Sequence, residues 1–128
     1  MKLIVYLPSA LFLDETVVSV VAEGVAGHFC LRPRHIDFVT ALVPGILAFR
    51  MPDGAERFAA VNGGILVKQG DAVRISTRYA VSGPLGQLRQ AVEGMLTDAD
   101  ERERSARAAV ARLEAGFIRR FMEFGKGG

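Results

Sequence analysis

The sequence has a single cysteine, no tryptophan and only two histidines. One thiol forms no intramolecular disulfide and builds no cysteine-based zinc site, so Cys30 reads as a small buried hydrophobe. His28 and His35 have Glu23 before them and Asp37 after them as nearby carboxylates, too few converging ligands for a metal centre. No Gly-x-x-x-x-Gly-Lys loop is present to cradle a phosphate, and no Gly-x-Ser-x-Gly elbow to present a nucleophile. Neither a catalytic residue nor a metal is therefore expected, which argues against a self-sufficient enzyme. Charge of one sign is missing too. Lys plus Arg number 16 against 14 Asp plus Glu, a net charge of +2, and this excludes nucleic-acid binding by bulk charge.

Long hydrophobic runs are also absent. The charge-free stretches Leu3 to Leu13 and Phe38 to Phe49 are cut by Pro8 and by Pro44-Gly45. Both fall short of the roughly 20 apolar residues that a spanning helix needs, so direct membrane insertion is not expected. Met1-Lys2-Leu3-Ile4-Val5-Tyr6-Leu7 mimics the charged and apolar regions of a secretion signal. Pro8 ends the run, however, Asp14 and Glu15 follow, and no small-x-small cleavage site appears. The segment reads as a first strand.

What is present is globular: 128 residues, 50% hydrophobic and 23% charged. Up to about Val81 the chain is rich in Val, Ile, Leu and Phe and is punctuated by Gly and Pro, the pattern of short strands. Strands are predicted near Lys2–Leu7, Thr16–Ala22, His28–Arg32, Ile46–Met51, Arg57–Asn62, Ile65–Lys68 and Ala72–Tyr79. Pro52-Asp53-Gly54 and Gln69-Gly70-Asp71 supply turn chemistry, and Asn62-Gly63-Gly64 marks a bulge or a close backbone approach. Such spacing predicts an all-β sandwich over residues 1–82.

After Ser82 the period changes. Pro84 suits a first helical turn, and Leu85, Leu88, Val92, Met95 and Leu96 recur at helical spacing. Thr97 and Asp100 have the spacing of a second N-cap, and Ala106, Val110, Leu113, Phe117, Phe121 and Phe124 form another apolar stripe that Gly125 should stop. Residues 83–128 are thus predicted as an antiparallel two-helix hairpin. The apolar rhythm also runs nearly in register through Ala99, so one extended helix is the alternative. The charged run from Asp98 to Arg107 fits a solvated face or a hinge.

Four segments in order make the β half specific: Gly27-His28-Phe29-Cys30-Leu31-Arg32-Pro33-Arg34-His35, Leu42-Val43-Pro44-Gly45, Val61-Asn62-Gly63-Gly64-Ile65-Leu66-Val67, and Val73-Arg74-Ile75 with Ala80. Together they resemble the epsilon subunit of F-type ATP synthases by motif up to about Ala80, and the helical tail by pattern only. Arg34 before the histidine is closer to the alternate, N-type branch of these rotary enzymes.

The resemblance implies a sandwich of about ten short strands and a non-catalytic rotor subunit in the central stalk. Such a subunit couples ion-driven c-ring rotation to ATP synthesis or hydrolysis through gamma. It implies gamma and c-ring as partners, with alpha and beta subunits reached by the C-terminal helices. The location implied is the cytoplasmic face of the plasma membrane, as a peripheral part of the complex.

By the family's motif order, Glu23, His28, Arg34 and His35 face the c-ring, and Gly63, Gly64 and Ile65 face gamma. His28 stands where many relatives carry an acid, and His35 serves equally as a residue that satisfies a turn. Arg102, Arg104, Arg107 and Arg112 belong to a helix that brakes hydrolysis in some members. The family's ATP-binding pattern is only approximated by Glu101-Arg102-Glu103-Arg104-Ser105, with Ser105 in an alanine's place, so no cofactor is expected. Whether the coupled ion is a proton or sodium lies in another subunit.

Two other readings fit the composition. One is a β-sandwich interaction adaptor that self-associates through the Val110–Phe121 stripe. The other is a small β-barrel enzyme, which the sparse histidines disfavour.

Overall fold

A computed structural model describes residues 1–126; the side chains from Glu114 onward, those of Phe117, Phe121 and Phe124 included, lie outside the described residues. Eight strands precede one helix: β1 (Lys2–Leu7), β2 (Ala10–Thr16), β3 (Ser19–Gly24), β4 (Gly27–Leu31), β5 (Phe38–Arg50), β6 (Glu56–Gln69), β7 (Ala72–Ser76), β8 (Ala80–Ser82) and α1 (Leu85–Lys126). The strands lie in the order β2-β1-β7-β6-β5-β3-β4, with β8 added on β6. All neighbours are antiparallel except β1 and β7.

Eight strands stand where about ten short ones are implied, because β5 and β6 run 13 and 14 residues without a break. Pro44-Gly45 and Gly63-Gly64 do not end these strands. They lie nearly opposite each other in the ladder, where Leu42 pairs with Gly64 and Pro44 with Asn62. At that point the buried positions change parity on both strands, from Leu42 to Leu47 and Phe49 on β5, and from Ala59 and Val61 to Leu66 and Lys68 on β6. The long pair thus serves two layers. One end of β6 is extended by β8, the other by β7 and β1.

Glycine is required at this crossing. Gly64 has φ +122°, and a Cβ there would lie 2.0 Å from the Ser76 carbonyl oxygen; Gly63 has φ +69° and a Cβ would sit 3.0 Å from the Leu42 oxygen. No side chain fits the first position without moving β7. The close approach that the glycines permit is made within the chain, to neighbouring strands.

Alternation builds the core. Leu3, Val5, Val20, Leu31, Leu47, Phe49, Leu66, Val73 and Ile75 face inward and form one cluster. The strand from Ala10 has no prediction before it: β2 carries Leu11, Phe12 and Leu13 in succession, without the alternation that marks a half-buried strand. It lies at one edge of the order and β4 at the other. Cys30 is therefore exposed, not buried: it occupies the outward parity of an edge strand, opposite Val21.

The second cluster joins helix to strands. Leu88 and Met95 are buried with Ala60, against Ile46, Phe58, Val81, Ala91 and Val92. These β5 and β6 residues have the outward parity, so the first turns of α1 cover one outer face of the sandwich. The chain forms two compact units, Met1–Met95 and Leu96–Gly128.

The two-helix hairpin is not observed. The helix is continuous for 42 residues, through the expected turn at Leu96–Ala99 and on past Gly125 to Lys126. Thr97 is inside the helix and caps no second one. The reason is local: no Gly or Pro interrupts the segment from Met95 to Ala115. A bond along the helix also leaves the expected joint, from Arg102 Nε to the Asp98 oxygen at 3.4 Å, and Arg107 bonds the Glu103 carboxylate at 2.6 Å in the turn that follows. Among the described residues, no helix is long and apolar enough to cross a membrane.

Candidate functional site

Three surfaces carry the residues singled out by the sequence. The first is the β3–β4 hairpin with the connection that follows it. Register puts Glu23 opposite His28, and the imidazole Nε2 lies 3.9 Å from Glu23 Oε1, with His28 exposed and Glu23 half-buried. Glu23 lies over Gly45, where a Cβ would come within 3.1 Å of its Oε2. The structure thus joins Glu23 and His28 as a pair.

His35 is held differently. Its amide donates to the Arg32 oxygen at 2.9 Å, closing a tight turn, and its Nδ1 lies 2.8 Å from the Ile36 oxygen. Its ring meets Phe38 edge-on at 5.8 Å, and Phe38 meets Phe29 edge-on at 5.2 Å. An aromatic chain therefore ties the connection to the strand beside His28. Arg34 is exposed on this connection and has no hydrogen bond or ion pair among the described residues. Two large apolar side chains on the same segments are exposed, Val25 and Ile36, the latter at 79%.

The second surface is the outer face opposite in sense to the one covered by α1. Register aligns Tyr6, Ser76, Ile65 and Ala41 across β1, β7, β6 and β5, and next to them Ile4, Arg74, Val67 and Val39. All have the outward parity, and Tyr6, Ile65 and Val39 are exposed. Beside this face Tyr6, Pro8, Asn62, Gly64, Thr77 and Arg78 help to line an open groove of about 440 Å³. Of the residues assigned to gamma by resemblance, Ile65 belongs to the exposed rows. Gly63 is buried and Gly64 half-buried, so they shape the face rather than form it.

The third surface is the helix beyond Met95. Arg102, Arg104, Arg107 and Arg112 are all exposed. Two of them have partners in the helix itself, Arg102 at the Asp98 carbonyl and Arg107 at Glu103. Leu96, Val110 and Leu113 are exposed as well.

Sequence reasoning missed one buried group. Lys68 is 1% exposed, and its ammonium donates to the carbonyl oxygens of His35 at 2.8 Å, Gly70 at 2.5 Å and Pro33 at 3.4 Å. Next to it Gly70 N–H donates to the Asp37 carboxylate at 2.9 Å. The available signal was parity: once Leu66 faces inward, Lys68 must too. Tyr6 and Tyr79 were likewise not singled out, since exposure of an aromatic residue is a tertiary property. Among the described residues no group of three or more His, Cys, Asp or Glu side chains converges as a metal site would require.

Comparison with known proteins gives a consistent result. The family described as ATP synthase, Delta/Epsilon chain, beta-sandwich domain matches residues 1–83. The chain is 37% identical over 116 residues to a protein of Cereibacter sphaeroides named ATP synthase epsilon chain 2, covering 89% of this chain and 80% of that one. It is 33% identical over 130 residues to a protein of the same name in Paraburkholderia xenovorans, covering 97% and 91%. Among solved structures it resembles a chain of the Euglena gracilis mitochondrial ATP synthase, an OSCP/F1/c-ring assembly, with a TM-score of 0.60 at 24% identity. That match covers 72% of this chain and 61% of the other. A chain from the central stalk and c-ring of the Tetrahymena thermophila enzyme gives a TM-score of 0.55 at 12% identity, covering 77% and 94%. These two likenesses show a shared fold.

Proposed function

The chain belongs to the ATP synthase delta/epsilon family, and from that premise we propose that it is a non-catalytic epsilon-type subunit in the central stalk of a rotary ATP synthase. Its work is mechanical: it holds gamma and the c-ring in fixed relation while ion flow turns them, and the ATP chemistry takes place on other subunits. The observation that carries this reading is the family match over the whole sandwich, residues 1–83. A densely packed β body suits the transmission of torque, because close-packed interiors are stiff.

Each surface then has a role. The hairpin with Glu23 and His28, and the connection with Arg34, His35 and the exposed Ile36, face the c-ring. The rows containing Tyr6, Ile65 and Val39, shaped by Gly63 and Gly64, face gamma. An apolar face with a few polar groups suits a permanent partner, since burying it releases structured water over a broad area. Residues 1–82 are the docking body and residues 83–128 the regulatory part. Arg102, Arg104, Arg107 and Arg112 could pair with carboxylates of the alpha and beta subunits through the fork-shaped guanidinium. The subunit is peripheral, on the cytoplasmic face of the membrane that holds the complex. The shared name epsilon chain 2 of two relatives, together with Arg34 before His35, supports placing it in the alternate, N-type branch.

Co-expression of the full chain with its cognate gamma subunit tests the proposal. A stable complex is expected, and Ile65→Asp should weaken it at least ~10-fold by placing an unpaired charge in the interface, with circular dichroism unchanged. A chain that ignores gamma and forms a concentration-independent homodimer would establish the self-associating adaptor instead.

A further inference from the structure

The ammonium of Lys68 sits where a sandwich normally has an apolar side chain. Lys68 pairs with Phe38 on one side and Val73 on the other, at the last inward position of β6. Among the described residues no carboxylate lies within ion-pair distance of it. Instead three backbone carbonyls surround it, those of Pro33, His35 and Gly70. Two of these belong to the connection between β4 and β5, and the third to the β6–β7 turn. Charged groups are buried only when they are well hydrogen-bonded, and three donors matched to three acceptors meet that requirement.

The connection has little else to hold it. From Arg32 to Asp37 every residue is exposed, and no apolar side chain anchors it until Phe38. Its other ties are the bonds that His35 makes to Arg32 and Ile36, the edge-on contact of the His35 ring with Phe38, and the Asp37 carboxylate that accepts from Gly70 N–H. The His35 bonds are internal to the connection, and the ring contact reaches only the start of β5. The Asp37 bond reaches the same β6–β7 turn that Lys68 grips, so the two hydrogen-bonded long-range ties converge on one point.

We infer that Lys68 is a positioning residue: its buried ammonium sets the conformation of residues 32–37 and so the presentation of Arg34, His35 and Ile36 to the partner. The inference rests on the reading of this segment as ring-facing. The loop itself, lacking a hydrophobic anchor, takes its shape from a cation supplied by a strand more than thirty residues away in sequence. The device is that of a bound cation in a carbonyl cage, with the cation tethered to the fold.

The tether suggests the experiment. Lys68→Ala removes the chain from Cγ to Nζ, and n-propylammonium replaces those atoms. Amide hydrogen exchange is measured on the full-length chain, alone and with n-propylammonium, and binding is measured to the cognate gamma–c-ring subcomplex. The expected result is at least ~10-fold faster exchange at His35 and Gly70, with Leu66 and Ile75 unchanged, and a matching loss of binding. Both effects should be reversed by n-propylammonium and by no equal concentration of sodium chloride. Should the alanine variant not fold, Lys68→Met fills the volume without the charge and must show the same faster exchange and weaker binding. Unchanged exchange at His35 and Gly70, or faster exchange with unchanged binding, overturns the inference. If the wild-type chain itself does not bind the subcomplex, the ring-facing reading fails, while the exchange data on the isolated chain still decide whether Lys68 shapes the connection.

Discussion

The sandwich and the helix beyond Met95 are written with the same apolar vocabulary and end in opposite states. In the sandwich Leu3, Val5, Leu47, Leu66 and Ile75 are fully buried. In the helix Leu96, Val110 and Leu113 recur at helical spacing and stay exposed, Leu113 at 73%. Helix α1 contains the contrast within itself, since Leu88 and Met95 are buried with Ala60 of β6. The lesson is that periodicity defines a face but not its partner. Strand alternation is answered by the other layer of the same chain. A helical stripe needs a second surface, and beyond Met95 none is supplied among the described residues.

The most severe way to break this contrast is to attack the sandwich at its crossing. Gly64→Val sets a β-branched side chain at φ +122°, with Cβ 2.0 Å from the Ser76 oxygen. It should cost about 3 kcal/mol or more in urea unfolding, or prevent folding altogether. Next in size, Leu88→Ala strips the more deeply buried anchor from the docked turns, and about 2–4 kcal/mol of stability should be lost as a cavity opens beside Ala60. Limited proteolysis should then cut near residues 85–95 while the sandwich fragment survives. A stability change under about 1 kcal/mol would mean that the docked turns are no better buried than the rest of the helix, and the contrast would fail. The smallest effect is expected at Arg107→Ala, whose partner Glu103 is one helical turn away and whose side chain is 77% exposed. Thermal unfolding should register a change of about 0.5 kcal/mol or less, which vanishes in high salt.

Legibility followed the range of the forces. β1 was placed from Lys2 to Leu7 because its alternation is local, and the turns at Pro52-Asp53-Gly54 and Gly70 because turn chemistry is local. β2 was missed, as consecutive Leu11, Phe12 and Leu13 carry no period of two. The first half of β5 was missed because Pro44-Gly45 looks like an end, whereas opposite Asn62 it lies inside a paired strand. The hairpin was expected from Thr97 and Asp100 as cap residues, yet an N-cap needs the preceding helix to stop, and nothing from Met95 to Ala115 stops it. Of the site, the hairpin pair Glu23–His28 and the row residue Ile65 were named from motif order. The cage around Lys68 joins it to carbonyls 33 and 35 residues away in sequence, and no local pattern announces such contacts.

By itself the sequence determined the two kinds of period, the residues that must turn, the lack of a catalytic or metal-binding constellation in its motifs, and the family. Those properties follow from residue types and short spacings, which act before any distant segments meet. Only the tertiary structure decided that Gly63 and Gly64 serve a crossing of strands, that Cys30 lies outside, that a lysine fills the last inward place of β6, and that the first turns of α1 cover one outer face while Tyr6, Val39 and Ile65 on the other are exposed. Each of these depends on which segment arrives opposite which, and burial is settled by that pairing rather than by the hydrophobicity of any single residue.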